Sequence, residues 1–200
     1  MTVGANPLDS SVTSKSSLRT AALAARDALS ETERAAAAQA LAARGLPMEM
    51  KPGAVVAGYS PIRSELDPTP LMQALASQGA RLALPVITAR GRSLIFRRFH
   101  PGDRLLPGPL GILEPSPAAA EIHPDIVLVP LAAFDRTGHR IGYGAGHYDR
   151  TLAHLHKSKG FVAIGLAFSG QQVDAVPALQ HDVPLDYVLT ETKAFDFRSF

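Results

Sequence analysis

The chain contains no cysteine among its 200 residues. That absence excludes a disulfide framework, a thiolate nucleophile and a cysteine-ligated zinc or iron–sulfur centre, so the chemistry has to come from oxygen and nitrogen groups. Long apolar runs are missing too. No stretch approaches the roughly 18 to 20 residues that span a bilayer, and the opening MTVGANPLDSSVTS lacks a basic start followed by an apolar core. The expectation is a cytoplasmic protein with no membrane partner. Basic residues do not cluster either: the formal net charge is +2 and the pI about 9.1, with Lys and Arg spread along the chain. Such a distribution suits small anionic ligands and argues against a nucleic-acid partner, which calls for a basic patch. His147, His154 and His156 do not make an H-E-x-x-H or comparable metal spacing, and the last two read as surface residues.

What is present is enough apolar material, 46% of residues, for one ordinary globular domain with a real core. Residues 1–14 are small, polar and aperiodic, and are expected to form a disordered tail; 15–200 is expected to be a single catalytic domain. KSSLRTAALAARDAL places Leu18, Ala22, Ala25 and Leu29 at helical spacing. Ser30 and Glu33 form a capping-box pattern ahead of an Ala-rich run that Gly45 stops, which predicts a second helix and hence an N-terminal helical hairpin.

Further along, AVVAGY (54–59), RLALPV (81–86), SLIFRRF (93–99), IVLVPL (126–131), FVAIGLAF (161–168) and DYVLTE (186–191) predict strands, with helices over 71–77 and from about 147 to a stop at Gly160. IVLVPL has the composition of a strand buried on both faces, and should be central. HPGDRLLPGPLGILEPSP is so rich in Pro and Gly that it reads as irregular. Alternating strands and helices predict an α/β fold, a single layered domain with a largely parallel central sheet flanked by helices.

Chemistry concentrates in RIGYGAGHYDR, residues 140–150. A strand, a glycine loop and a helix in that order place a flexible turn at the carboxyl end of a central strand, where open α/β sheets bind ligands. Gly142, Gly144 and Gly146 make G-x-G-x-G rather than the dinucleotide pattern G-x-G-x-x-G. Their backbone N–H groups, the positive end of the following helix and the flanking Arg140 and Arg150 suit phosphate oxygens, although a loop of this composition can equally be only a turn. Asp149 reads either as a first-turn carboxylate favoured by the helix dipole or as a magnesium ligand. Asp182 is a second candidate carboxylate or a plain loop residue. Lys15 and Arg19, four apart, share one helix face that is either solvated or ligand-binding.

Together, KSSLR (15–19), GYSPIRSELDPTPL (58–71), LGILEP (110–115), FDRTGHRIGYGAGHYDRTL (134–152) and QQVDAVPALQHDVPLDYVLTE (171–191) resemble the 5-formyltetrahydrofolate cyclo-ligase family, from Lys15 to Glu191. The resemblance implies ATP- and Mg²⁺-dependent conversion of 5-formyltetrahydrofolate to 5,10-methenyltetrahydrofolate, with release of ADP and phosphate, by an enzyme expected to act as a monomer. It further implies ATP binding by Lys15, Arg19 and the run Arg140, Ile141, Gly142, Tyr143, Gly144, Ala145, Gly146, His147 and Tyr148. Of these, Tyr143, Gly144, Ala145, Gly146 and His147 would also border the folate, and Arg140 and Tyr148 would be catalytic. Asp149 and Asp182 fall at metal positions, and Tyr59, Ser60 and Glu65 at folate positions, Glu65 against the pterin. Where many members carry two tyrosines before the aspartate, this chain has His147 and Tyr148. From the residues alone, a sugar-phosphate isomerase, an acyl-CoA-transferase-like enzyme and a non-catalytic folate- or nucleotide-binding module remain alternatives.

Overall fold

Five parallel strands sit at the centre of the computed structural model, which describes residues 14–158, 160–178 and 182–198. Of the expected N-terminal tail, residues 1–13 lie outside the described residues, and Ser14 belongs to the first helix as its cap.

The chain order is α1 (Lys15–Asp27), α2 (Glu31–Arg44), β1 (Val55–Ala57), α3 (Thr69–Ser77), β2 (Arg81–Val86), β3 (Ile95–Phe99), β4 (Leu106–Pro107), β5 (Leu113–Glu114), β6 (Ile126–Pro130), β7 (Ala133–Phe134), β8 (Arg140–Ile141), α4 (His147–Ser158), β9 (Val162–Leu166), β10 (Tyr187–Leu189) and β11 (Ala194–Asp196), with single 3-10 turns at Pro109–Gly111 and Ser169–Gln171. The main sheet runs β11-β10-β9-β6-β1-β2-β3. Its inner pairs are parallel and its two edge strands, β3 and β11, antiparallel. The α/β layering with a largely parallel sheet is as the alternating pattern predicted.

Local signals explain the helices. Ser14 Oγ accepts the Ser17 N–H at 3.1 Å and starts α1. The expected capping box starts α2: Ser30 N–H donates to Glu33 Oε2 at 2.8 Å and Glu33 N–H to Ser30 Oγ at 3.2 Å. Gly45, at φ 73°, ends α2 in a conformation that disfavours other residues. The two N-terminal helices then find different neighbours, α2 packing on α3, and α1 on β7 and the turn at Ser169–Gln171.

Side chains alternate across the strands, so each strand feeds two cores. Val56, Ile126, Leu128 and Ile164 join Leu41, Leu71, Met72 and Leu75 of α2 and α3 on one face. Val55, Val127, Val129 and Ala163 join Leu152 and Leu155 of α4 on the other. β6 lies between β1 and β9 with Ile126 to Val129 buried, as an unbroken β-branched and leucine run requires. Full burial of each such side chain contributes about 1.5–3 kcal/mol.

Four details differ from the sequence expectation. The Pro- and Gly-rich stretch folds into a small hairpin, β4 with β5, closed by Gly108 N–H donating to the Ile112 carbonyl at 2.8 Å. A second hairpin, β7 with β8, intervenes between β6 and the glycine loop. β11 extends the sheet beyond the last expected strand. On α1, Ala25 is exposed and Leu29 lies past the helix end, while Arg26 is buried beside Ala22 in the helical period. No helix among the described residues is long and apolar enough to cross a membrane.

Candidate active site

From β1 the chain proceeds outward to β2 on one side and to β6 on the other, so the crevice at their carboxyl ends is a topological switch point. A cleft of about 440 Å³ opens there, within the range typical of small-molecule sites.

The β1 side supplies the first wall. Tyr59, buried, donates its hydroxyl to the Leu66 carbonyl at 2.6 Å, and Ser60 donates to the Leu113 carbonyl at 2.6 Å, fastening the β4–β5 hairpin over the cleft. Glu65 is buried and accepts the Ile62 N–H at 2.9 Å. Burial pushes its carboxyl above the usual range, against the pull of that N–H, of the Arg26 guanidinium and of the Tyr143 hydroxyl.

The opposite wall is the glycine loop. Gly144 and Gly146 sit at φ 95° and 65°, where L side chains are strained. Arg19 Nε donates to the Gly142 carbonyl at 2.7 Å, and Arg150 Nη2 to the Ala145 carbonyl at 2.6 Å, so two guanidiniums clasp the loop from α1 and α4. Arg140, its side chain 5% exposed, donates to Asp149 Oδ1 at 2.5 Å and to the Val183 carbonyl. Burial pulls the Arg140 guanidinium down, while Asp149 and Asp182 hold it up. Lys15 and Asp182 form a second ion pair at 2.6 Å. Tyr148 has its hydroxyl pushed well above the usual range by burial and by the nearby Glu65, which keeps it protonated as a hydrogen-bond donor.

The structure thus gathers around one cleft Lys15, Arg19, Tyr59, Ser60, Glu65, Arg140, Gly142, Tyr143, Gly144, Ala145, Gly146, His147, Tyr148, Asp149, Arg150 and Asp182. Ile141 is placed elsewhere: it packs in the core with Ala22, Ala132, Ala133 and Val176. His147 begins α4, and its Nδ1 is buried without a partner among the described residues.

Sequence reasoning missed two contributions. Leu110, Ile112 and Glu114 of the β4–β5 hairpin also line the cleft, Glu114 accepting the Ile87 N–H at 2.9 Å. Arg26 stands behind the wall, donating through Nη2 to the Tyr143 hydroxyl. Its spacing was a usable signal, since Lys15, Arg19, Ala22 and Arg26 follow one face of α1.

Among the described residues no three His, Asp or Glu side chains converge into a metal cage. Asp149 and Asp182 both line the cleft, and two carboxylates would fit Mg²⁺ of the kind that completes its shell with phosphate and water.

Comparison with known proteins agrees with the geometry. Residues 11–191 match the model of the 5-formyltetrahydrofolate cyclo-ligase family. A 5-formyltetrahydrofolate cyclo-ligase of Mycolicibacterium smegmatis is 38% identical over 186 residues, covering 88% of this chain and 93% of that protein. One from Escherichia coli is 35% identical over 147 residues, covering 71% and 80%. The solved structure of Aquifex aeolicus 5,10-methenyltetrahydrofolate synthetase superposes with a TM-score of 0.76 at 33% identity, over 92% of this chain and 93% of that one. That of Mycoplasma pneumoniae 5,10-methenyltetrahydrofolate synthetase gives 0.68 at 26% identity, over 88% and 98%. With a cleft that joins a glycine loop, basic residues and paired carboxylates at the switch point, and with these relatives, the chain belongs to the 5-formyltetrahydrofolate cyclo-ligase family, a family of ligases.

Proposed function

We propose that this enzyme closes 5-formyltetrahydrofolate to 5,10-methenyltetrahydrofolate in an ATP- and Mg²⁺-dependent reaction that releases ADP and phosphate. The observation that carries the reading is the meeting, in one cleft, of the glycine loop and Lys15, Arg19 and Arg140 with three carboxylates in two kinds of surroundings: Asp149 and Asp182 in ion pairs, and Glu65 buried against tyrosines.

The formyl oxygen is a poor leaving group. Its oxygen attacks the γ-phosphorus of ATP, the bond to the ADP oxygen breaks, and the substrate becomes an iminium phosphate. The neighbouring folate nitrogen then attacks the formyl carbon and loses its proton, the C–O bond breaks, and phosphate leaves with the oxygen. No protein nucleophile is needed, in keeping with a cysteine-free chain. The protein's work is positioning and charge neutralisation. Lys15, Arg19 and Arg140 are the phosphate ligands in this reading, with the N–H groups of Gly142 to Gly146. Tyr148 holds a proton on its hydroxyl and orients the reacting groups. Tyr59, Ser60 and Glu65 seat the folate, and His147 borders both substrates.

The charge balance of the cleft supports a divalent cation. Lys15, Arg19, Arg140 and Arg150 are matched by the carboxylates Glu65, Glu114, Asp149 and Asp182. A triphosphate therefore meets a lining of no net positive charge, and Asp149 and Asp182 would hold a cation that would supply the missing charge beside the transferred phosphoryl group.

The deciding experiment follows methenyl-folate absorbance from 5-formyltetrahydrofolate, with ATP or Mg²⁺ omitted in parallel. Product only in the complete mixture is expected, and none in any mixture would overturn the proposal.

A further inference from the structure

Arg26 is 2% exposed and points from α1 toward the back of the cleft wall. Its Nε donates to Ser64 Oγ at 3.0 Å and its Nη2 to the Tyr143 hydroxyl, while Nη1 has no partner among the described residues. Ser64 in turn donates to Asp27. The Tyr143 hydroxyl, accepting from Arg26, also acts on the Glu65 carboxyl and favours its ionised form. The guanidinium carbon lies 5.4 Å from the Tyr143 ring centroid.

This is an expensive arrangement if stability were its purpose. A guanidinium taken out of water is best matched by a carboxylate with which it makes two parallel hydrogen bonds. Here the direct partners are two neutral hydroxyls, and one nitrogen is left over. The charge instead acts on a group it does not touch. The ionisable groups acting on or around Glu65 are Arg26 from α1, Tyr143 from the glycine loop, Tyr59 from the end of β1, Tyr148 from α4, and Asp67 in its own loop. Arg140 acts on Tyr148, and Arg26 is the positive group that acts on Glu65 itself.

We propose that Arg26 is a positioning residue for folate recognition: from behind the cleft it anchors Tyr143 and keeps Glu65 a hydrogen-bond acceptor for the N–H groups of the pterin edge. The inference rests on the reading above, in which Glu65 meets the pterin. A protonated Glu65 would offer an O–H to ring groups that are themselves donors, so the seat works only while the carboxyl is ionised. Burial opposes ionisation, and the Arg26 field with the Tyr143 hydroxyl that Arg26 anchors favours it. The same chain ties the helix that bears Lys15 and Arg19 to the folate side of the cleft.

Two measurements test this on Arg26→Gln, which keeps a hydrogen-bonding side chain and removes the charge, with Arg26→Lys as the charge-restoring control. In the ligand-free protein, the ¹³C-NMR titration midpoint of the Glu65 carboxyl should rise by about one pH unit in Arg26→Gln and return toward wild type in Arg26→Lys. An unmoved midpoint overturns the proposal without reference to any substrate. In steady-state assays Arg26→Gln should raise the KM for 5-formyltetrahydrofolate, by up to about tenfold on the acidic side of the Glu65 midpoint, one unit being a factor of ten. The KM for ATP should stay within about twofold, and the acidic limb of kcat/KM for the folate should move to higher pH. An unchanged folate KM and pH profile in a folded variant overturns the proposal, whereas absence of product from the wild type would overturn the function. Should Arg26→Gln not fold, Tyr143→Phe removes the anchored hydroxyl at the loop. Its acidic limb should also move up, and an unshifted limb overturns the proposal.

Discussion

Replacing Asp149 by asparagine separates the two roles its position allows. In the ligand-free protein Asp149 is the partner of Arg140 at 2.5 Å, with side-chain exposures of 33% and 5%. Breaking a fully buried pair costs about 3–5 kcal/mol. Solvent reaches a third of Asp149, Arg140 keeps the Val183 carbonyl and the field of Asp182, and asparagine still offers a carbonyl oxygen. We therefore expect a loss of about 1–2 kcal/mol, inclusive of the first-turn helix-dipole contribution of about 0.3–1 kcal/mol. For a chain of this length that lowers Tm by roughly 2–8 °C. The metal role adds a second signature. Mg²⁺ with ATP at about 100 times its Kd stabilises the wild type by about 2.7 kcal/mol, and Asp149→Asn should lose most of the Mg²⁺-dependent part of that shift along with turnover. Scanning calorimetry with ATP alone, Mg²⁺ alone and both reads the two effects apart. A variant that melts a few degrees lower, yet gains as much from Mg²⁺ with ATP as the wild type and turns over normally, would return Asp149 to a purely structural role.

Glu65→Gln should stabilise the empty protein at neutral pH while raising the folate KM. The raised carboxyl of Glu65 binds its proton more tightly folded than unfolded, so stability falls as pH rises from the ordinary glutamate value through the folded one, and glutamine removes that loss; thermal melts across pH 4–8 test it. Asp135→Asn should destabilise by about 2 kcal/mol. Burial pushes that carboxyl up, but the Thr137 hydroxyl and the N–H groups of Val176, Thr137 and His139 outweigh it and leave it below the usual range. Its stabilisation is therefore present above the ordinary aspartate value and lost as pH falls through the folded one, a loss that urea midpoints should show in the wild type and not in the variant. His147→Tyr should retain activity, since a phenol stacks and hydrogen-bonds in the same place; loss of nearly all turnover would show that the imidazole, with its buried Nδ1, has a role of its own.

The parts of the fold legible in the sequence are those in which local chemistry and tertiary packing agree. IVLVPL is apolar at every position because both sheet faces are covered, and the Ser30–Glu33 box and Gly45 specify α2 from end to end. The short ladders were not legible. β4, β5, β7 and β8 have two residues each, too few for a period to register, and the turn between β7 and β8 is held by the Asp135 hydrogen bonds; β11 has three residues like β1 and β10, but lacks their fully buried apolar run. The glycine loop and its flanking charges could be read directly, but not the ion pairs among them. Lys15 and Asp182 are separated by 167 positions, and only the sheet order brings them together.

Arg26 shows where a hydrophobic period misleads. On α1, apolar spacing selected Ala25 and Leu29 for the buried side, but helix faces are sorted by geometry before chemistry, and the face holding Ala22 also holds Lys15, Arg19 and Arg26. A helix that covers an active cleft does not need its inward side chains to be apolar; it needs them to be partnered by what lies beneath. Lys15 meets Asp182, Arg19 meets the Gly142 carbonyl and Arg26 meets Tyr143. Three basic residues on an inward face would be untenable over a hydrocarbon core. Over a cleft whose opposite side carries carboxylates and open carbonyls they are the complement of that surface. A basic stripe on a helix otherwise rich in alanine is thus itself a signal that the helix roofs a polar site.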